Sequence, residues 1–273
     1  MPASSPRETR WAVLVTLVFL ASVVGLGWAG LRTGHLAVGA PATGTASPTT
    51  SPSTTRPAAP MPSATPTESA TLAVVPSDPE LVADFETVTS ALGGEYALAW
   101  VGRDGLHVLG ELSDQAAWST IKVPLAIAAA EHAGADPAPG PSGAEEAPGP
   151  SGAGNPWPDV EAAITRSDND AAARLWGSLG RPEEAATAVD EVLSAYDSGA
   201  TATQQEVVRP PFSSFGQTQW SLADQARFAA ALACADGASV AAQVRAAMTR
   251  VVPEHRWGIG QLEESHVKSG WGP

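Results

Sequence analysis

The chain has 273 residues, 29 acidic against 15 basic side chains, and a formal net charge of -14. Such an acidic chain repels a phosphate backbone, which argues against nucleic acid as a partner. With one cysteine, Cys234, it has no internal disulfide, and its five scattered histidines lack H-E-x-x-H or Cys/His spacing, so no metal and no other cofactor is expected.

Residues 11–31 carry no charge, and as a helix rising about 1.5 Å per residue they reach roughly 30 Å, the hydrocarbon thickness of a bilayer. Arg7 and Arg10 precede this run. The positive-inside rule then predicts residues 1–35 as a cytoplasmic tip and single-pass anchor, with everything after it outside the cell membrane. The alternative is a cleaved signal peptide and a secreted domain. Residues 36–76 follow as a linker, and between 40 and 70 all but Arg56, Met61 and Glu68 are Pro, Ala, Thr, Ser or Gly. That composition cannot bury a core and predicts a disordered, extended tether.

The domain is expected over 77–273. Ser77-Asp78-Pro79-Glu80 reads as a helix start with Ser77 as cap, Leu81, Phe85, Val88 and Leu92 follow at helical spacing, and Gly93-Gly94 stops the helix. Residues 95–101 and 106–111 around Asp104-Gly105 predict a β-hairpin. A helix is expected from Ser119 to His132, with Pro124 close enough to its start to be tolerated. Residues 133–158 contain the heptapeptide Ala-Pro-Gly-Pro-Ser-Gly-Ala twice and predict a flexible surface insertion. Helix resumes at Asp159 and runs through Ile164 and Leu175 to Leu179-Gly180. Ser221 caps another helix to about Ala235, in which Cys234 reads as a small buried residue. Residues 257–262 and 266–271 then look like the arms of a second hairpin. This order predicts an α+β fold, an antiparallel sheet covered by helices plus a helical lobe.

Against 13 arginines there are only two lysines, Lys122 and Lys268, each in a short motif. A lysine amine can be driven neutral by burial and an arginine cannot, so lysine at these places suggests chemistry. Three motifs occur in order: Ser119-x-x-Lys122, Ser167-Asp168-Asn169 and Lys268-Ser269-Gly270. At i and i+3 on a helix, the Lys122 amine can reach the Ser119 hydroxyl and take its proton. Burial and the charge of Lys268 would lower the pKa of Lys122 for that task, so Lys122 is expected to be the more buried of the two while Lys268 keeps its proton. Ser119 at a helix start would also point its backbone N–H toward a developing oxyanion.

Together the three motifs resemble those of the penicillin-recognising serine enzymes, the class A β-lactamases and D,D-peptidases, over about residues 77–273. The resemblance implies an acyl-enzyme on Ser119, with Ser167 relaying a proton to the leaving nitrogen and Asn169 holding the substrate amide. It further implies that Lys268 and Ser269 receive the substrate carboxylate, and that the backbone N–H of Trp271, after Gly270, is the second oxyanion donor. Asp168 would support the turn. The implied function is an extracytoplasmic serine hydrolase acting as a monomer on a β-lactam or a D-Ala-D-Ala-like amide. The alternatives are a D,D-peptidase on peptidoglycan stem peptides or a non-catalytic wall-binding or sensor module.

Two departures qualify this. No E-x-x-L-N segment lies between the second and third motifs, so acylation is better supported than deacylation. The family pattern also continues past the third motif with strands and a terminal helix, so a C-terminally truncated domain, a fragment, is expected.

Overall fold

The computed structural model describes residues 73–134, 154–196, 199 and 201–272. The expected anchor, nearly all of the linker and most of the insertion lie outside them. Among the described residues no helix is long and apolar enough to cross a membrane.

Helix α2 (Lys122–His132) is the centre of the domain: its first nine residues, Lys122 through Ala130, are all buried. A helix apolar on every side must be surrounded. Here α3 (Trp157–Thr165), α4 (Asn169–Ser178), α5 (Pro182–Ala195) and α7 (Val240–Ala247) pack around it. Its run of alanines lets those neighbours approach closely, while Ile121, Leu125 and Ile127 fill the space between. Truncating Ile127 to alanine should therefore cost about 2–5 kcal/mol in chemical denaturation. Leu92→Ala, on a side chain 61% exposed, should stay within about 0.5 kcal/mol of the parent.

A second, smaller core lies under the expected hairpin. Strands β1 (Leu98–Val101) and β2 (Leu106–Leu109) pair antiparallel with Val101 opposite Leu106. Ala97, Ala99 and Leu106 pack on Leu222 and Ala226 of α6 (Leu222–Ala233). Strands β3 (Asp114–Ala116) and β4 (Gln219–Ser221) form another antiparallel pair. They are three residues each, too short to show alternation in the sequence. The α+β fold thus stands, built of helices and two small two-stranded antiparallel sheets.

Several local readings need correction. The cap of α1 (Pro79–Leu92) is Asp78, which accepts from Glu80 N at 2.8 Å and Leu81 N at 3.4 Å. Pro79 forces the residue before it into an extended conformation, and this carries the Asp78 carboxylate over the first turn. Ser77 instead sits 3.4 Å from His107 Nδ1. The helix expected from Asp159 to Leu179 is two helices, α3 and α4, broken where Ser167 adopts φ +55° and Asp168 caps α4 through Ala171 N. Cys234 is exposed, because α6 ends at Ala233 and Cys234 is its C-cap.

The second hairpin does not form. Gly258–Gln261 is a 3-10 turn, Gly258 and Glu264 both have positive φ, and no strand occurs among the described residues after β4. A ladder needs consecutive extended residues, and these turns interrupt it.

Candidate active site

The chain enters the site from β3. Ala117 N donates to Thr218 O at 2.8 Å, extending the β3–β4 contact by one bond. Trp118 then turns at φ +47° into the 3-10 turn Trp118–Ile121, which runs directly into α2. Thr120 Oγ1 closes this turn onto Ala117 O at 2.7 Å. Ser119 is therefore held between a strand and the buried helix, at the start of the helical segment as expected, in a 3-10 turn.

Lys122, the first residue of α2, is 2% exposed, and its amine does not bond the Ser119 hydroxyl. Its Nζ donates to Ser167 O at 2.6 Å and Asn169 Oδ1 at 2.7 Å, with Ser167 Oγ at 3.4 Å. The break between α3 and α4 explains the preference. A residue in the left-handed conformation leaves the helical ladder, its carbonyl needs a donor, and the Lys122 amine supplies one.

Lys268 reaches the same place from the C-terminal segment, donating to Ser167 Oγ at 2.8 Å and to Ser269 O at 2.7 Å. Two amines thus converge on one hydroxyl. Ser167 Oγ receives both, so its own hydrogen points elsewhere, free for a ligand. Among the described residues neither lysine pairs with a carboxylate.

The expected division of labour between the lysines is not what the electrostatics show. Lys268 is 4% exposed, barely more than Lys122. Burial, with Asp168 pulling the other way, brings the Lys122 amine down to about 8. Burial and then the charge of Lys122 push Lys268 well below the usual lysine range. Burial thus holds both amines against the one hydroxyl below the usual lysine range, and repulsion by the charge of Lys122 adds to it at Lys268.

The segment after Lys268 lies against Ser119 by close backbone fit. A Cβ on Gly270 would stand 2.9 Å from Ser119 N and 3.1 Å from Ala117 O. One on Gly272 would overlap the Trp118 indole. Trp118 in turn meets Phe212 edge to face at 5.3 Å. Ser269 Oγ is buried without a partner. Trp271 is 60% exposed, its ring against His255 at 5.4 Å.

All eight expected site residues therefore belong to one neighbourhood: Ser119 and Lys122 at the start of α2, Ser167 and Asn169 at the α3–α4 break, and Lys268, Ser269, Gly270 and Trp271 alongside. Asn169 differs from its expected role, because its amide oxygen is taken by Lys122. Trp118 and His255 were not singled out, and no local pattern marks either. A cleft of about 680 Å³ lies between the ends of α2, α5 and α6, lined by Glu131, Tyr196 and Cys234 among others, and includes none of the motif residues.

No family model matches the chain, and no curated protein matches it by sequence. Solved structures with a similar backbone include β-lactamases. A protein from Rhodopseudomonas palustris assigned to class A is 20% identical, over 63% of this chain and 72% of that one, at a TM-score of 0.45. A β-lactamase from Desulfarculus baarsii is 23% identical over 63% and 68%, at 0.42. A reconstructed class A ancestor of Gram-negative bacteria is 20% identical over 65% and 72%, at 0.43.

Proposed function

We propose that the domain is a serine hydrolase of the class A β-lactamase type, which forms an acyl-enzyme at Ser119 with a β-lactam or a D-Ala-D-Ala-like amide outside the cell. The observation that carries this reading is the convergence of Lys122 and Lys268 on Ser167 Oγ, beside a serine whose amide lies under Gly270. The open carbonyl at the α3–α4 break accounts for Lys122 but not for a second buried amine on the same hydroxyl, and acyl transfer would account for both. The neutral fraction of Lys122, roughly a tenth at pH 7 for a pKa near 8, is the base for the Ser119 proton. Ser167 carries a proton between the amines and the leaving nitrogen. The Ser119 amide and the backbone entering Trp271 face the carbonyl oxygen, and Lys268 with Ser269 receives the carboxylate.

The bond from Lys122 to Asn169 favours a second reading, a wall-binding module with a resting or non-catalytic serine. For acylation the amine must exchange that bond for Ser119 Oγ when substrate amide engages Asn169. Incubating the protein with a fluorescent penicillin decides between them. A covalent adduct is expected in the parent and none in Ser119→Ala; absence of label from the parent would sink the acyl-enzyme. The lifetime of the adduct separates a β-lactamase, which clears it, from a D,D-peptidase, which keeps it.

A further inference from the structure

Gln217 ends the 3-10 turn Phe215–Gln217 and is 7% exposed. Its amide holds the loop 209–213. Arg209 N donates to Gln217 Oε1 at 2.6 Å, while Nε2 donates to the carbonyls of Arg209, Phe212 and Ser213 at 3.3, 3.2 and 3.0 Å. One N–H and three carbonyls leave the amide a single orientation, oxygen toward the N–H and nitrogen toward the carbonyls. The loop has little apolar burial of its own, since residues 205–211 are exposed, Val207 by 53% and Val208 by 70%.

The clamp sets the position of Phe212, a half-buried ring that meets the Trp118 indole edge to face at 5.3 Å. The turn itself also runs along Trp118: a Cβ on Gly216 would lie 3.7 Å from Trp118 O and 3.8 Å from its Cα. Thr218 O, one residue after the clamp, accepts from Ala117 N. The same indole lies against Gly272 of the C-terminal segment. Trp118 has φ +47°, which a bulky residue keeps only where its surroundings impose it, and the next residue is Ser119.

We propose that Gln217 is a positioning residue for acylation: by holding Phe212 on Trp118 it fixes the turn that presents the Ser119 hydroxyl. Ser119 as nucleophile rests on the function proposed above. Gln217 touches no reacting atom and acts only through the loop. Without its amide, three carbonyls and one N–H lose a shared partner and turn to water, and Phe212 leaves the indole. Trp118 then loses a contact that holds its left-handed turn, and Ser119 shifts relative to Lys122 on the buried helix. A shift of about 1 Å costs on the order of 10² in rate.

The full chain provides the test, with the rate constant and the amplitude of labelling by a fluorescent penicillin measured separately in stopped flow. Misfolding lowers the amplitude, whereas a misplaced nucleophile lowers the rate constant. Gln217→Ala and Phe212→Ala should each acylate roughly 10- to 100-fold more slowly. The double variant should be about as slow as either single one, because both act on one contact. The inflection at about pH 8 should stay in place, since Lys122 is untouched. A second readout needs no acylation: on a Ser119→Ala background the Trp118 indole N–H resonance, assigned by its loss in Trp118→Phe, should shift in Gln217→Ala. A parent rate constant in Gln217→Ala, a double variant slowed by the product of the single effects, or an unmoved Trp118 resonance overturns the proposal. If Gln217→Ala does not fold, Phe212→Ala decides, a slowed rate constant supporting the proposal and a parent one overturning it. A parent that takes no label while the resonance shifts counts against the acyl-enzyme alone, and a labelled parent without the shift against Gln217 alone.

Discussion

Lys122→Met should slow acylation of Ser119 by about 10²- to 10⁴-fold, the usual worth of a positioned general base, with the Ser119 nucleophile still in place. The working form of Lys122 is the neutral amine. The parent rate should therefore rise with pH up to about 8 and level off above it. Burial sets the low position of that midpoint, so Lys268→Met should leave it near 8 while weakening carboxylate ligands. Stopped-flow acylation by a chromogenic cephalosporin from pH 6 to 10 reads both effects. A parent profile with no inflection near 8 would remove Lys122 from the role of base. The same depression has a sign for stability. Between about pH 8 and 10.5 the folded state binds fewer protons than the unfolded one, so the Lys122 contribution to stability falls as pH drops across that window and is level below it.

Gly270→Val should lower acylation at least 10²-fold with little change in the denaturation midpoint. The added Cβ would meet Ser119 N at 2.9 Å and Ala117 O at 3.1 Å, and both are backbone atoms that cannot swing away. The C-terminal segment must then lift off the nucleophile, carrying with it the amide of Trp271 and the Lys268 amine. Misplacement of about 1 Å in a reacting constellation costs on the order of 10² in rate. The nearest atoms all belong to residues 117–120 ahead of α2 and not to the helix itself, so folding should survive. A variant that acylates at the parent rate would show that the segment plays no part in the site. A variant that fails to fold would contradict the separation of site from core.

The meeting of the three motifs was legible in the sequence because two of its members are lysines, a residue type that the rest of the chain avoids. Two lysines among 13 arginines pointed to Lys122 and Lys268 directly. The hairpin of β1 and β2 and the helices α1, α2 and α6 were also written in spacing, glycine stops and caps. What the spacing could not convey was which acceptor Lys122 would find. The reading assumed Ser119 Oγ, one turn away. The carbonyl of Ser167 competes because a left-handed residue breaks the helix 45 positions later, and pairing over that distance is a tertiary outcome. His255 was invisible for the same reason. The second hairpin failed because only Trp257, Ile259, Val267 and Trp271 favour strands in this stretch, while Gly258–Gln261 folds into a 3-10 turn and Glu264 turns with positive φ. The C-terminal motif is held by backbone fit and aromatic contact in place of a ladder, and neither has a sequence period.

Helix α1 buries none of its 14 residues, although its first turn is properly capped. A helix of that length with only Val82, Phe85 and Thr89 half-buried sits near the margin of stability in water, so it should unwind before the domain behind it. Wound, it spans roughly 21 Å; drawn out, roughly 46–50 Å. The segment leading into β1 is therefore an extensible leash. Under tension it lengthens before the core around α2 feels any load.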